Sequence, residues 1–169
     1  CPVASGSFPE NNSPHFHGGH LHPDHGAPET RKIMAPFKIL DGAMGSELIK
    51  RGLILPDHIW SAGANINHPK LVKQIHRQYV DAGADYITTN TFRATPRAYL
   101  KTGINNEKAS QIAKKSFVRA IEHAKISCDP DTKIIGSFAP LEDCYSPELF
   151  PGSDAAVSEF AQLGKWFAE

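Results

Sequence analysis

The chain has 169 residues, with 18 basic and 18 acidic side chains, enough for one domain with a sizeable core but short of the roughly 250 residues of a complete α/β barrel. The charges cancel and are scattered, which excludes a basic footprint for nucleic acid or an anionic membrane, and no apolar run reaches the roughly 18 to 20 residues of a membrane span. Three cysteines without regular spacing exclude a disulfide framework and a C-x-x-C zinc site, and point to a reducing, cytoplasmic setting with a small-molecule partner.

Residues 1–33 are rich in Pro, Gly, Ser, Asn and His and nearly free of large aliphatics, so they are expected to be a disordered segment that leaves 34–169 as the domain. They lack the apolar core of a secretory signal and the basic character of a transit peptide, and Met34 stands where a natural start would. The tract "HFHGGHLHPDHG" within them can capture a divalent transition metal with modest affinity, as flexible tags also do.

The ordered pattern begins with a strand over residues 37–40 that ends at Asp41, followed by a helix over 46–51. Gly42 and Gly45 between them let the backbone turn tightly and come close to something. A carboxylate at a strand's carboxyl end, followed by unpaired amides at a helix start, suits the two charged ends of an amino acid. The competing reading is a plain strand-to-helix turn with Ser46 as N-cap.

Next, a helix after Pro69 carries Leu71, Val72, Ile75, Tyr79 and Val80 on one face and stops at Gly83. A strand over 85–92 follows, then a short helix over 95–101 and a long one over 105–127 with Ile112, Ala113, Phe117, Ala120 and Ile121 on one side. A third strand lies over 133–138. A last helix over 154–167 presents Val157, Phe160, Ala161, Gly164 and Phe167. Strands alternating with helices predict parallel βαβ units with right-handed crossovers. The fold class expected is α/β, the N-terminal three βα units of a TIM (β/α)8 barrel, incomplete.

All three strands end in small or polar clusters, the ends where barrel enzymes carry their working residues. "DGAMGSELIKRG", "WSA" at 60–62, "HPKLVKQIHRQYVDAGADYITTNTF" and "GSFAPLEDCYSPELF" together resemble the homocysteine S-methyltransferase family over about residues 37–168. The resemblance implies a TIM barrel that binds zinc and homocysteine and transfers a methyl group to the thiol, giving methionine. It places the α-ammonium of homocysteine on Asp41 and its α-carboxylate on the backbone of Ala43 and Met44, with Gly42 a further substrate-binding candidate in the same turn. Thr89 and Asn90 line the same mouth, as substrate contacts or as polar residues finishing a strand. Glu142 is a candidate on the rim.

The family's zinc is held by cysteines near the ends of later strands, and none of those motifs occurs here. Zinc would lower the pKa of the homocysteine thiol; without its ligands the chain is expected to be a fragment that is inactive alone. Cys144 stands by itself and is no substitute ligand. His58, His68, His76 and His123 are expected in solvated or capping roles. The partners implied are homocysteine and a methyl donor of unread identity, with self-association through open sheet edges. A non-enzymatic half-barrel with a binding or regulatory role and a different small-molecule TIM-barrel enzyme remain as alternatives.

Overall fold

A computed structural model describes residues 37–169. The segment 1–33 and its histidine tract lie outside the described residues.

The sheet is built around β1, Tyr86–Thr88. β2, Lys133–Ile135, pairs with it in parallel, with Tyr86 opposite Lys133 and Thr88 opposite Ile135. On the other side of β1, Leu40 makes one parallel bridge to Tyr86. Three chain segments therefore lie side by side in sequence order, as in a (β/α) barrel. The strand expected over 37–40 is nevertheless reduced to that single bridge. The Asp85 carboxylate accepts the Ile39 N–H at 2.9 Å, so a side chain takes the donor that a ladder would use. The other two strands are also shorter than their apolar runs. Past Thr88 the chain turns, Thr91 N–H to the Thr89 carbonyl at 2.8 Å. The Thr91 hydroxyl then carries the connection onward, donating to the Ser137 carbonyl at 2.7 Å.

The helices are α1 (Met44–Lys50), α2 (Ala64–Asn67), α3 (Pro69–Asp81), α4 (Pro96–Leu100), α5 (Asn106–Ser127) and α6 (Ser153–Ala168). α3 and α4 open on proline, whose missing N–H costs nothing in a first turn. Thr95 caps α4 and Asn105 caps α5, each side-chain oxygen accepting a backbone N–H. Beyond α3, Gly83 takes a φ of +96°, the left-handed turn that glycine adopts without a Cβ penalty. Ser46 is not an N-cap: α1 begins two residues earlier, behind Ala43, with no side-chain cap. A 3-10 turn at Trp60–Gly63, α2, and a second 3-10 turn at Pro147–Leu149 escaped the periodicity, because four residues are too few to show one.

α3 and α5 cover one face of β1, with Val80, Ile87 and Ala124 buried together. α1 rests on α3 through Leu48, Val72 and Ile75. A stripe of small residues on α5, Ala109, Ala113, Ser116, Ala120 and Ala124, lets the neighbouring elements approach closely. Each fully buried Leu, Ile or Phe here contributes about 1.5 to 3 kcal/mol.

Two expectations fail. On α6 the buried residues are Leu163 and Trp166, whereas Val157 is 70 % exposed and Ala161 and Gly164 face out. The helix packs chiefly against α5, so only a narrow stripe is covered. His76 and His123 are not solvated but buried between α3 and α5, at 0 % and 4 % exposure. His68 and His58 are exposed, as expected.

Candidate functional site

Asp41 leaves the sheet edge half-buried and its Oδ2 accepts the Thr88 N–H at 2.9 Å. This bond ties the end of the first segment to the end of β1. Burial pushes the Asp41 carboxyl above its ordinary value, and the hydrogen bonds from Thr88 offset part of that rise. The carboxylate therefore protonates earlier on acidification than a free one, and its hold on a cation fades correspondingly sooner.

The next residues form an open turn. Gly42 and Ala43 are exposed and Met44 is half-buried. Among the described residues, the N–H groups of Ala43 and Met44 have no hydrogen-bond partner, as the first turn of a helix requires.

Both glycines have close neighbours. A Cβ on Gly42 would lie 2.6 Å from the Tyr79 hydroxyl oxygen, and one on Gly45 would collide with Trp60 Nε1. The turn is thus wedged between a phenol from α3 and an indole from the following loop. Neither ring was anticipated at the site: Tyr79 reads as core on its helix face, and Trp60 belongs to a motif without a period. The signal available was the pair of glycines, which called for large partners.

Trp60 has a φ of +45°, a left-handed conformation that a bulky residue adopts only when its surroundings impose it. The surroundings are a buried polar network. Ser61 Oγ donates to Asn90 Oδ1 at 2.6 Å, and Asn90 Nδ2 donates to the Ser61 carbonyl at 2.9 Å and to Asn65 Oδ1 at 2.8 Å. Asn65 Nδ2 in turn donates to the Asn90 carbonyl and to Ser116 Oγ, and Ser116 Oγ donates to the Ala62 carbonyl. Asn90 is 4 % exposed with its amide fully used, and Thr89, at 3 %, shares a hydroxyl hydrogen bond with Thr91. Both side chains expected at the mouth are thus turned into the protein.

On the far side of Trp60 lies a cavity of about 600 Å³, lined by Asp57, Phe92, Arg93 and Glu142 among others. None of Asp41 to Met44 lines it. Arg93 stacks over the Phe92 ring at 5.7 Å. Glu142 is held by Arg97, at 2.9 Å, and by Lys101. Burial raises its carboxyl, but the hydrogen bonds from these two cations outweigh that and hold it below its ordinary value. Glu142 thus fastens the loop after β2 to α4, in a cavity apart from Asp41.

No group of three or more His, Cys, Asp or Glu among the described residues converges as metal ligands do. Cys144 is exposed, and burial pushes the half-buried Cys128 thiol up, away from the thiolate that a metal would need. These residues do not fit the zinc implied by the sequence resemblance. No helix among the described residues is long and apolar enough to cross a membrane.

The model of the family described as homocysteine S-methyltransferase matches residues 38–169. Homocysteine S-methyltransferase of Escherichia coli is 31% identical over 121 residues, which take in 69% of this chain and 38% of that protein. Homocysteine S-methyltransferase 1 of Arabidopsis thaliana is 33% identical over 84 residues, 50% of this chain and 26% of that protein. The crystal structure of the homocysteine methyltransferase MmuM from Escherichia coli, in its oxidised form, superposes with a TM-score of 0.58 at 26% identity. That match covers 75% of this chain and 50% of that one, so the chain corresponds to part of the length of a TIM-barrel enzyme.

Proposed function

The chain belongs to the homocysteine S-methyltransferase family, and from that premise we propose that it carries the amino-acid-binding part of a homocysteine site. Asp41 holds the α-ammonium through its carboxylate. The amides of Ala43 and Met44, with Gly42 giving access, receive the α-carboxylate. Thr89 and Asn90 serve the site by shaping it, since their polar atoms are already engaged. The observation that carries this reading is the juxtaposition of an ionisable carboxylate and unpaired backbone N–H groups on one exposed turn, matching the two charges of a zwitterion.

The reaction class is methyl transfer to the homocysteine sulfur from a small-molecule donor. By itself the chain is proposed to bind homocysteine without methylating it, because the family's zinc–cysteine motifs do not occur in its sequence.

Asp41→Asn tests the site. The neutral amide loses a charge-assisted bond worth about 1.5 to 3 kcal/mol, so homocysteine affinity measured by calorimetry should fall about tenfold or more. An affinity within twofold of the parent would remove Asp41 from the site.

Self-association through the open sheet is part of the same proposal. β2 is exposed along its whole length, Ile134 and Ile135 included, and Leu40 is exposed at the other edge. Exposed apolar strands with unpaired edges join further strands. Sedimentation should show a dimer growing with concentration and Ile134→Lys should suppress it; a monomer at every concentration would refute the idea.

A further inference from the structure

We infer that Asn90 is a positioning residue that locks Trp60 against Gly45 and so builds one wall of the amino-acid site. The inference rests on the reading of residues 41–44 as that site and adds a part to it.

Trp60 cannot owe its place to intrinsic preference. Its φ of +45° is disfavoured for any residue with a large side chain, and such strain persists only where neighbouring contacts over-determine it. Those contacts are on the next residue. Ser61 is clamped at both its hydroxyl and its carbonyl by the Asn90 amide, and Asn90 is fixed to the end of β1. On the other side, Trp60 N–H donates to the Pro56 carbonyl at 2.7 Å. With the backbone held on both sides of it, Trp60 lays its indole on Gly45, where no Cβ could fit.

The clamp is also anchored at depth. Asn65 Oδ1 accepts from Asn90, the Asn65 carbonyl meets His123 Nε2 at 2.9 Å, and Ser116 joins the same loop to α5. Every polar atom of the Asn90 amide is spent on this network, so Asn90 reaches a ligand only through what it holds. Trp60, at 39 % exposure, is the element of the network that meets solvent beside the turn.

The chain has two tryptophans, so Trp166→Phe leaves Trp60 as the sole indole emitter in the full chain. Acrylamide quenching of that emission, without ligand, reads how closely the indole is held. Asn90→Ala should raise the quenching constant about twofold, as a local release does, at temperatures where the fold persists by circular dichroism. Gly45→Ala, which leaves the network intact but pushes on the indole, should do the same. If Asn90→Ala does not fold, Ser61→Ala, which removes one bond of the clamp, decides instead. Quenching unchanged from the Trp166→Phe parent in whichever of these two network variants folds would overturn the inference.

Homocysteine titration of the same proteins separates the two readings. Asn90→Ala should weaken binding about tenfold, as the loss of one well-placed interaction does. Unaltered affinity with a loosened indole would overturn the wall and leave the lock. A Trp166→Phe parent that does not bind homocysteine at all would overturn the site itself, whatever the quenching shows.

Discussion

Between pH 6.5 and 4 the folded chain is expected to lose on the order of 3 kcal/mol through His76 alone. The imidazole is fully buried and neither ring nitrogen has a hydrogen-bond partner among the described residues. Burial, with a smaller contribution from His123 across the α3–α5 seam, pushes its pKa down from 6.5 to about 4. The sign follows from proton counting. In that window the unfolded chain binds a proton that the folded chain refuses, so stability is complete above the unfolded value and falls as the pH falls. The carboxylates of Glu47 and Asp129, held down by hydrogen bonds from Lys50, Arg51 and Arg77, titrate below their ordinary range, and the raised Asp41 carboxyl takes up its proton with the opposite sign, so the loss of stability towards pH 5 falls to the imidazole. Urea melts at pH 7, 6 and 5 should show the slope, and His76→Leu should flatten it. That variant also removes two orphaned polar atoms at similar volume, so at pH 7 it should be neutral or stabilising. A slope that survives His76→Leu would assign the acid sensitivity elsewhere.

The same histidine shows what local sequence can and cannot convey. His76 lies four residues from Val72 and four from Val80, both buried, so its position on the core face of α3 was legible; its polar type argued the other way and prevailed. The site was read in a similar, divided way. Asp41 and the two glycines are contiguous, and their chemistry follows from residue type and order alone. Their partners are Tyr79 and Trp60, brought in by the fold from other segments, and no local period announces a ring that must fill the space above a glycine. Asn90 illustrates the limit in reverse. Its strand-end place suggested a ligand contact, but whether an amide faces a mouth or a buried loop depends on Ser61 and Asn65, some 25 to 29 residues away. On α6 periodicity identifies all apolar positions, whereas packing covers one side only: α5 takes Leu163, Trp166 and part of Phe167, and Val157, Ala161 and Gly164 stay outside.

Phe117→Ala is expected to cost about 3 to 5 kcal/mol, and to release α6 before the rest of the fold. The ring is fully buried on α5 and makes edge-on contacts with Trp166 at 5.4 Å and Phe167 at 4.5 Å between centroids. Those two aromatics and Leu163 hold α6 to the protein. The polar attachments are weaker. Lys114 and Glu169 are both about half exposed, so their ion pair is worth about 0 to 1 kcal/mol. Arg97 with Glu159 is more enclosed, yet it grips only the outer side of the helix. Emptying the socket at Phe117 therefore removes the attachment of α6 to α5 and leaves it the exposed contacts of Phe138 with Phe160 and Phe167, whereas α3, α5 and β1 keep the separate cluster of Val80, Ile87 and Ala124. Hydrogen exchange should then show the amides of α6 losing protection well before those of α3. Phe117→Leu, which refills most of the volume, should cost less than about 1.5 kcal/mol and keep α6 protected. If both helices instead lose protection together in Phe117→Ala, the aromatic contacts are not a local fastening and α6 belongs to the same cooperative unit as the sheet.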